Sequence, residues 1–137
     1  MPRYRAFLSY SHRDKRVAAW LHRTLETYRV PSKLVGRPTA FGPVPARLTP
    51  IFRDRDELSA AADLGEAITS ALAESLFLIV VCSPASARSP WVNEEIATFK
   101  RMHGEQRVLA LITGGEPYAS ATPETAGKEC FPPALRF

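Results

Sequence analysis

The sequence predicts an open α/β domain built on a parallel sheet, and three observations carry that prediction. Short β-type runs alternate with helical patterns along the chain, the order expected of βαβ units. One of those runs, "LFLIVVCS" at 76–83, is apolar on both faces, as a central parallel strand covered by helices must be. The length of 137 residues suits one domain, spanning 1–137, with a buried core.

Each element follows from its own residues. The first strand is read at 3–9, from "RYRAFLSY". A helix over 14–28 comes next, with Asp14 offering an N-cap carboxylate. Val17, Leu21, Leu25 and Tyr28 give it one apolar stripe. Between Pro31 and Pro50 lie five of the twelve prolines and two glycines, which predicts a long surface loop without regular structure. A short second strand spans 49–53. Asp63 and Glu66 then have capping-box spacing, ahead of a helix whose buried stripe is Leu64, Ile68 and Leu72. The third strand is 76–83. Ser89 as N-cap and Pro90 at the first helical position open a helix that Gly104 stops. A fourth strand covers 107–112, and beyond an irregular Gly- and Pro-rich tail the closing "ALRF" reads as the opening of a fifth.

Charge and composition exclude several functions. The excess of 18 Lys+Arg over 14 Asp+Glu is scattered, with no run of five like charges, so nucleic acid is not an expected partner. No apolar run approaches 18 residues and no signal-peptide core follows Met1, which predicts a cytoplasmic protein without a membrane partner. Cys82 and Cys130 have no metal-ligand spacing, and Cys82 lies in an apolar run as a small hydrophobe. His12, His22 and His103 are isolated, so neither a metal site nor a nucleophilic triad is expected. Walker-type and GxGxxG phosphate loops are absent.

Open parallel sheets bind ligands at the carboxyl ends of their strands, where the first and third strands diverge. The loop after the first strand brings Tyr10, Ser11 and His12 to that crevice, followed by a helix N-terminus suited to an anion such as pyrophosphate. Turns also carry polar residues for their own hydrogen bonds. The helix after Ser89 has two stripes. Val92, Ile96 and Phe99 suit packing on the sheet, while Trp91, Glu95, Thr98 and Met102 share a second face. Periodicity alone leaves two readings of Glu95: a functional carboxylate, or one drawn to an early helical turn by the macrodipole.

Three motifs in order resemble TIR domains. "YRAFLSYSHRD" resembles the family's first box. The run from "PIFRDRDEL" to "LIVVCSP" is similar to its second strand, BB loop, second helix and third strand. "SPWVNEEI" resembles its Ser-x-Trp-x-x-x-Glu motif. The likeness covers roughly residues 3–112. It implies a flavodoxin-like sheet of order 2-1-3-4-5 with helices on both faces, and a role in immune or cell-death signalling.

It further implies NAD cleavage, with NAD as a substrate and no resident cofactor. Glu95, four residues after Trp91, takes the position of the catalytic glutamate. Tyr10, Ser11, His12, Asp54, Asp56, Ser83 and Trp91 take positions around the substrate, and other TIR domains are the expected protein partners on activation. The alternative within the family is a non-catalytic adaptor acting through TIR–TIR contacts. A response-regulator receiver is excluded, because "SYSHRD" lacks an acidic pair after the first strand. Two departures stand out: the Pro31–Pro50 loop is longer than the pattern, and the final strand and helix are missing. The latter reads as the amino-terminal module of a longer protein.

Overall fold

A computed structural model describes residues 2–53 and 65–136. Its strands are β1 (Tyr4–Ser9), β2 (Pro38–Thr39), β3 (Gly42–Pro43), β4 (Ile51–Arg53), β5 (Ser75–Cys82) and β6 (Val108–Ile112). Its helices are α1 (Lys15–Thr27), α2 (Glu66–Ala73), α3 (Pro84–Ala87) and α4 (Pro90–His103). The main sheet has the order β4-β1-β5-β6 with every pairing parallel. This is the 2-1-3-4 portion of the expected order, and β1 is held on both edges: Phe7 faces Phe52 on one side and Leu78 on the other.

Alternation along β1 divides the core into two halves. Phe7 points to a cluster with Leu72, Leu78, Val80, Val92, Ile96 and Phe99, so α2 and α4 cover that face. Ala6 and Leu8 point the other way, to Ala18, Ile51 and Val81, where Val17, Leu21 and Leu25 of α1 pack. Complete burial of each large apolar side chain in these clusters is worth roughly 1.5–3 kcal/mol. Among the described residues no helix is long and apolar enough to cross a membrane.

Several elements differ from the sequence reading. α1 stops at Thr27, and Tyr28 turns extended at ψ 133, so its ring leaves the stripe and is 48% exposed. Asp63 and Leu64 lie outside the described residues. α2 begins at Glu66 behind Gly65, without a side-chain cap, so Glu66 is the first helical residue rather than the third. The proline-rich segment is not wholly irregular: β2 and β3 pair as a small hairpin, and Phe41 at its turn packs edge-on against Phe77. The turn α3 follows β5 directly, closed by reciprocal bonds between Ser83 and Ser86.

"ALRF" does not begin a strand. Pro133–Leu135 form a 3-10 turn, and Leu135 is buried against the α4 face of the sheet. Pro132 and Pro133 have no amide donors for a ladder and set the turn instead. Among the described residues β6 is therefore an edge strand, with Leu109, Leu111 and Ile112 exposed.

Glu129 organises the segment between β6 and that turn. Its carboxylate accepts from the backbone amides of Tyr118, Ser120 and Phe131 and from the Ser120 hydroxyl, with Arg136 3.6 Å away. These contacts hold Tyr118 in the left-handed region at φ 59. Gly115, at φ 78, lets the segment lie against α3: a side chain there would strike the Lys128 carbonyl and crowd Cys130 and Pro84. Burial acts to raise the Glu129 pKa. The Ser120 hydroxyl and the amides of Phe131, Ser120 and Tyr118 outweigh it and hold the group at about 2, against an ordinary 4.5.

The depressed value sets a sign. Stability from Glu129 is fully present above about pH 4.5 and is lost as the pH falls through 4.5 toward 2. Glu129→Gln should cost about 2–3 kcal/mol at neutral pH and markedly less near pH 3, since hydrogen bonds to a charged group are the strong ones. Urea denaturation at the two pH values measures this. An equal cost at both would show that the carboxylate charge is not what holds the segment.

Candidate active site

The site begins where β1 ends. Phe7 and Ser9 lie on the same face of the strand, so the hydroxyl of Ser9 continues the line that buries Phe7. α4 lies across that face through Val92, Ile96 and Phe99, which brings Glu95 over the strand end. Ser9 Oγ donates to Glu95 Oε1 at 2.7 Å. Both residues are 1% exposed. A carboxylate removed from water in this way is tolerated only when hydrogen-bonded.

The loops after β1 and β5 meet, as the topology requires. Ser83 Oγ donates to Asp14 Oδ2 at 2.6 Å across the crevice. This contact diverts Asp14 from its expected role: it occupies the N-cap of α1 but makes no side-chain cap bond. Ser11 instead caps the short turn His12–Asp14, accepting from the Arg13 amide at 3.3 Å. Beside them Tyr10, His12, Lys15, Arg16, Ala19 and Arg53 line a hollow of about 400 Å³, within the roughly 300–1,000 Å³ of small-molecule sites.

The second stripe of α4 is buried for three of its four residues. Trp91 is 8% exposed and Thr98 7%, and Glu95 lies between them, whereas Met102 is 41% exposed near the end of the helix. Trp91 belongs to neither apolar cluster of the core. Neighbouring Glu94 has an ordinary surface role, lying 3.7 Å from Arg101 and accepting from Thr98. Asp54 and Asp56 lie outside the described residues.

Thiol chemistry has no place here. Burial, then the neighbouring Cys130, pushes the Cys82 thiol up to about 12, and burial followed by Glu129 raises Cys130. Neither forms a thiolate nucleophile at neutral pH. Among the described residues no group of His, Cys, Asp and Glu is arranged to hold a metal.

Of the residues singled out in the sequence, Tyr10 and His12 line the hollow, Ser83 binds Asp14 and Glu95 accepts from Ser9, and neither of the last two partners was anticipated. For Ser9 a signal existed. Period-two alternation sets it on the face of Phe7, under the helix that carries Glu95.

Residues 6–130 match the family described as TIR domain. The NAD(+) hydrolase ApTIR of Actinoplanes sp. is 35% identical over 138 residues, which is 98% of this chain and 18% of that relative's length. Among solved structures, the TIR domains of the activated Roq1 resistosome, which directly recognises the pathogen effector XopQ, superimpose with a TM-score of 0.51 at 22% identity. The match covers 80% of this chain and 55% of the other.

The bond from Ser9 to Glu95 can be tested apart from any activity. Ser9→Ala should cost about 1.5–3 kcal/mol beside the charged carboxylate and roughly 1 kcal/mol in a Glu95→Gln background, where the acceptor is neutral. Chemical denaturation of the four proteins gives the coupling. Equal costs in both backgrounds would show that Ser9 does not serve the carboxylate charge.

Proposed function

The chain belongs to the TIR-domain family, and on that premise we propose that it cleaves the nicotinamide–ribose bond of NAD, with Glu95 as the catalytic carboxylate. The observation that carries the reading is the position of Glu95, buried and oriented by Ser9 at the carboxyl end of the central strand. A module serving only as an adaptor has no need of a carboxylate buried at that point. The activity named for the Actinoplanes relative supports the same substrate. By resemblance, the biological setting is immune or cell-death signalling in the cytoplasm.

The chemistry suits a single carboxylate. Nicotinamide is bound to ribose as a cation and departs neutral with the electron pair of the broken C–N bond, so no acid has to protonate it. The transition state has oxocarbenium character, as in glycoside hydrolysis. A preorganised negative charge in a dry site stabilises it strongly. Ser9 holds the carboxylate in one orientation. Water then adds to the ribosyl carbon and loses a proton, giving ADP-ribose; capture by an adenine nitrogen of the same molecule gives a cyclic isomer instead. Tyr10, Ser11, His12, Ser83 and Trp91 border the reacting groups, with Asp54 and Asp56 completing the set inferred from the family motif. NAD is consumed as substrate and is not a recycled cofactor.

Glu95 and Trp91 are nearly closed to solvent, at 1% and 8%. The ribose therefore reaches Glu95 only when the rim around Trp91 shifts, and self-association between TIR domains is the proposed means of holding the open form. A ligand that binds a minor state has its affinity lowered by that state's population.

Two outcomes follow. Glu95→Gln should reduce NAD cleavage by about 10²–10³-fold, whereas Glu94→Gln, which alters only a surface pair, should leave it near the wild-type rate. Chromatographic resolution of the products measures both variants, and full turnover by Glu95→Gln would remove the catalytic assignment. Specific activity should also rise steeply with protein concentration. A flat profile over a hundredfold range, taken as roughly two decades of occupancy, would separate activity from association.

A further inference from the structure

The Pro31–Pro50 segment, which departs from the family pattern, builds a second hollow at the end of the sheet away from Glu95. Arg3, Tyr4 and Arg5 line it from the start of β1, Phe41 from the turn between β2 and β3, Pro50 from ahead of β4, and Leu76 from β5. Its volume is about 360 Å³. All strands of the main sheet are parallel, so this is their amino end, whereas the crevice lies at their carboxyl ends. β1 runs from Tyr4 to Ser9 between the two places, a span of roughly 17 Å at 3.3 Å per residue. The hollow is therefore no extension of the crevice.

Its charges have one sign. Arg3 and Arg5 line it, and among the described residues no carboxylate does. Arg107 adds a cation at the border: its Nε donates to the Leu76 carbonyl at 2.6 Å, and its guanidinium lies 6.0 Å from the centre of the Phe41 ring. Of the acidic residues on adjoining helices, Glu26 accepts from the Ile51 amide at 2.9 Å, and Glu74 meets β1 through its backbone carbonyl. Arg5 is half-buried, and among the described residues its guanidinium makes no hydrogen bond or ion pair. Such a group is costly to withdraw from water without a partner.

The aromatic lining is fixed in place. Phe41 packs edge-on against Phe77, with ring centres 5.1 Å apart, and remains 40% exposed. Tyr4 packs edge-on against Phe52 at the same separation, and the Arg3 guanidinium lies 5.2 Å from its ring.

We propose that this hollow binds a nucleoside monophosphate, with the base against Phe41 and the phosphate on Arg5 and Arg3. Each part of the ligand has a counterpart. Any base offers a flat face that stacks on an aromatic side chain, and phosphate oxygens match the guanidinium fork. The volume is at the lower end of the roughly 300–1,000 Å³ of small-molecule sites, which suits one nucleotide rather than two. The site stands apart from NAD cleavage, since it uses no residue of the crevice.

The test uses the full chain, with AMP as the probe and calorimetry at low salt. Arg5→Gln should weaken AMP binding at least about tenfold, because charge-assisted contacts to phosphate are the strong ones. Phe41→Leu keeps an apolar contact for Phe77 but removes the ring, and should weaken binding by about fivefold or more. Adenosine and inorganic phosphate, each carrying one part of the ligand, should bind at least about tenfold more weakly than AMP. Without AMP the melting temperature of Arg5→Gln should stay within about 3 °C of the wild type. AMP should raise the melting temperature of the wild type but not of the variant, a difference that a merely structural Arg5 would not produce. Arg3→Gln repeats the measurement should Arg5→Gln disturb the fold. No AMP binding by the wild type, or binding unchanged in both Arg5→Gln and Phe41→Leu, would overturn the site. Binding lost in Lys15→Gln but kept in Arg5→Gln would place AMP in the crevice and overturn it as well.

Discussion

The hydrogen bond from Ser9 to Glu95 joins the end of the central strand to the helix that crosses it, and much of the structure is arranged around keeping it dry. A carboxylate at 1% exposure is costly unless donors meet it at the right distance and angle. Meeting that condition fixes both the rotation of α4 about its axis and its position along β1. Val92, Ile96 and Phe99 supply the rotation by packing on Phe7, Leu78 and Val80. Apolar packing and the placement of Glu95 are consequently one constraint.

The opposite face of the sheet serves a different end. There Ala6, Leu8 and Val81 seat α1 through Val17, Leu21 and Leu25, which carries Lys15 and Arg16 to the rim of the same crevice. Ser83 binds Asp14 between the two halves. That bond draws the Asp14 carboxylate away from capping the start of α1. One face of β1 thus holds Glu95 through Ser9, and the other seats the helix that carries Lys15 and Arg16.

The segment after β6 packs beside α3 and α4 through short 3-10 turns rather than a strand. Glu129 replaces a ladder with a fan of amide and hydroxyl donors. Gly115 permits the close approach to α3. Cys130 and Leu135 then enter the same core as α4. This segment is therefore coupled to the helix that bears Glu95 through packing rather than through a strand.

Local patterns determined the element types and their order, because periodicity of two or 3.6 is written into consecutive residues. The parallel sheet, the double stripe on α4 and Ser89 as its N-cap were legible for that reason. Glu95 was singled out by its spacing from Trp91 and by the family motif. The fate of the ends was not legible: Tyr28 leaves its stripe and "ALRF" becomes a 3-10 turn, since tertiary competition decides where a pattern stops. Nor were the partners. Ser9 and Glu95 are 86 residues apart and Ser83 and Asp14 are 69 apart, so each pairing exists only once strand register and helix rotation are set by the core. The basic hollow has the same origin. Lys15, Arg16 and Arg53 read in sequence as scattered surface charge, and only the parallel pairing of β1 with β4 brings them to one place.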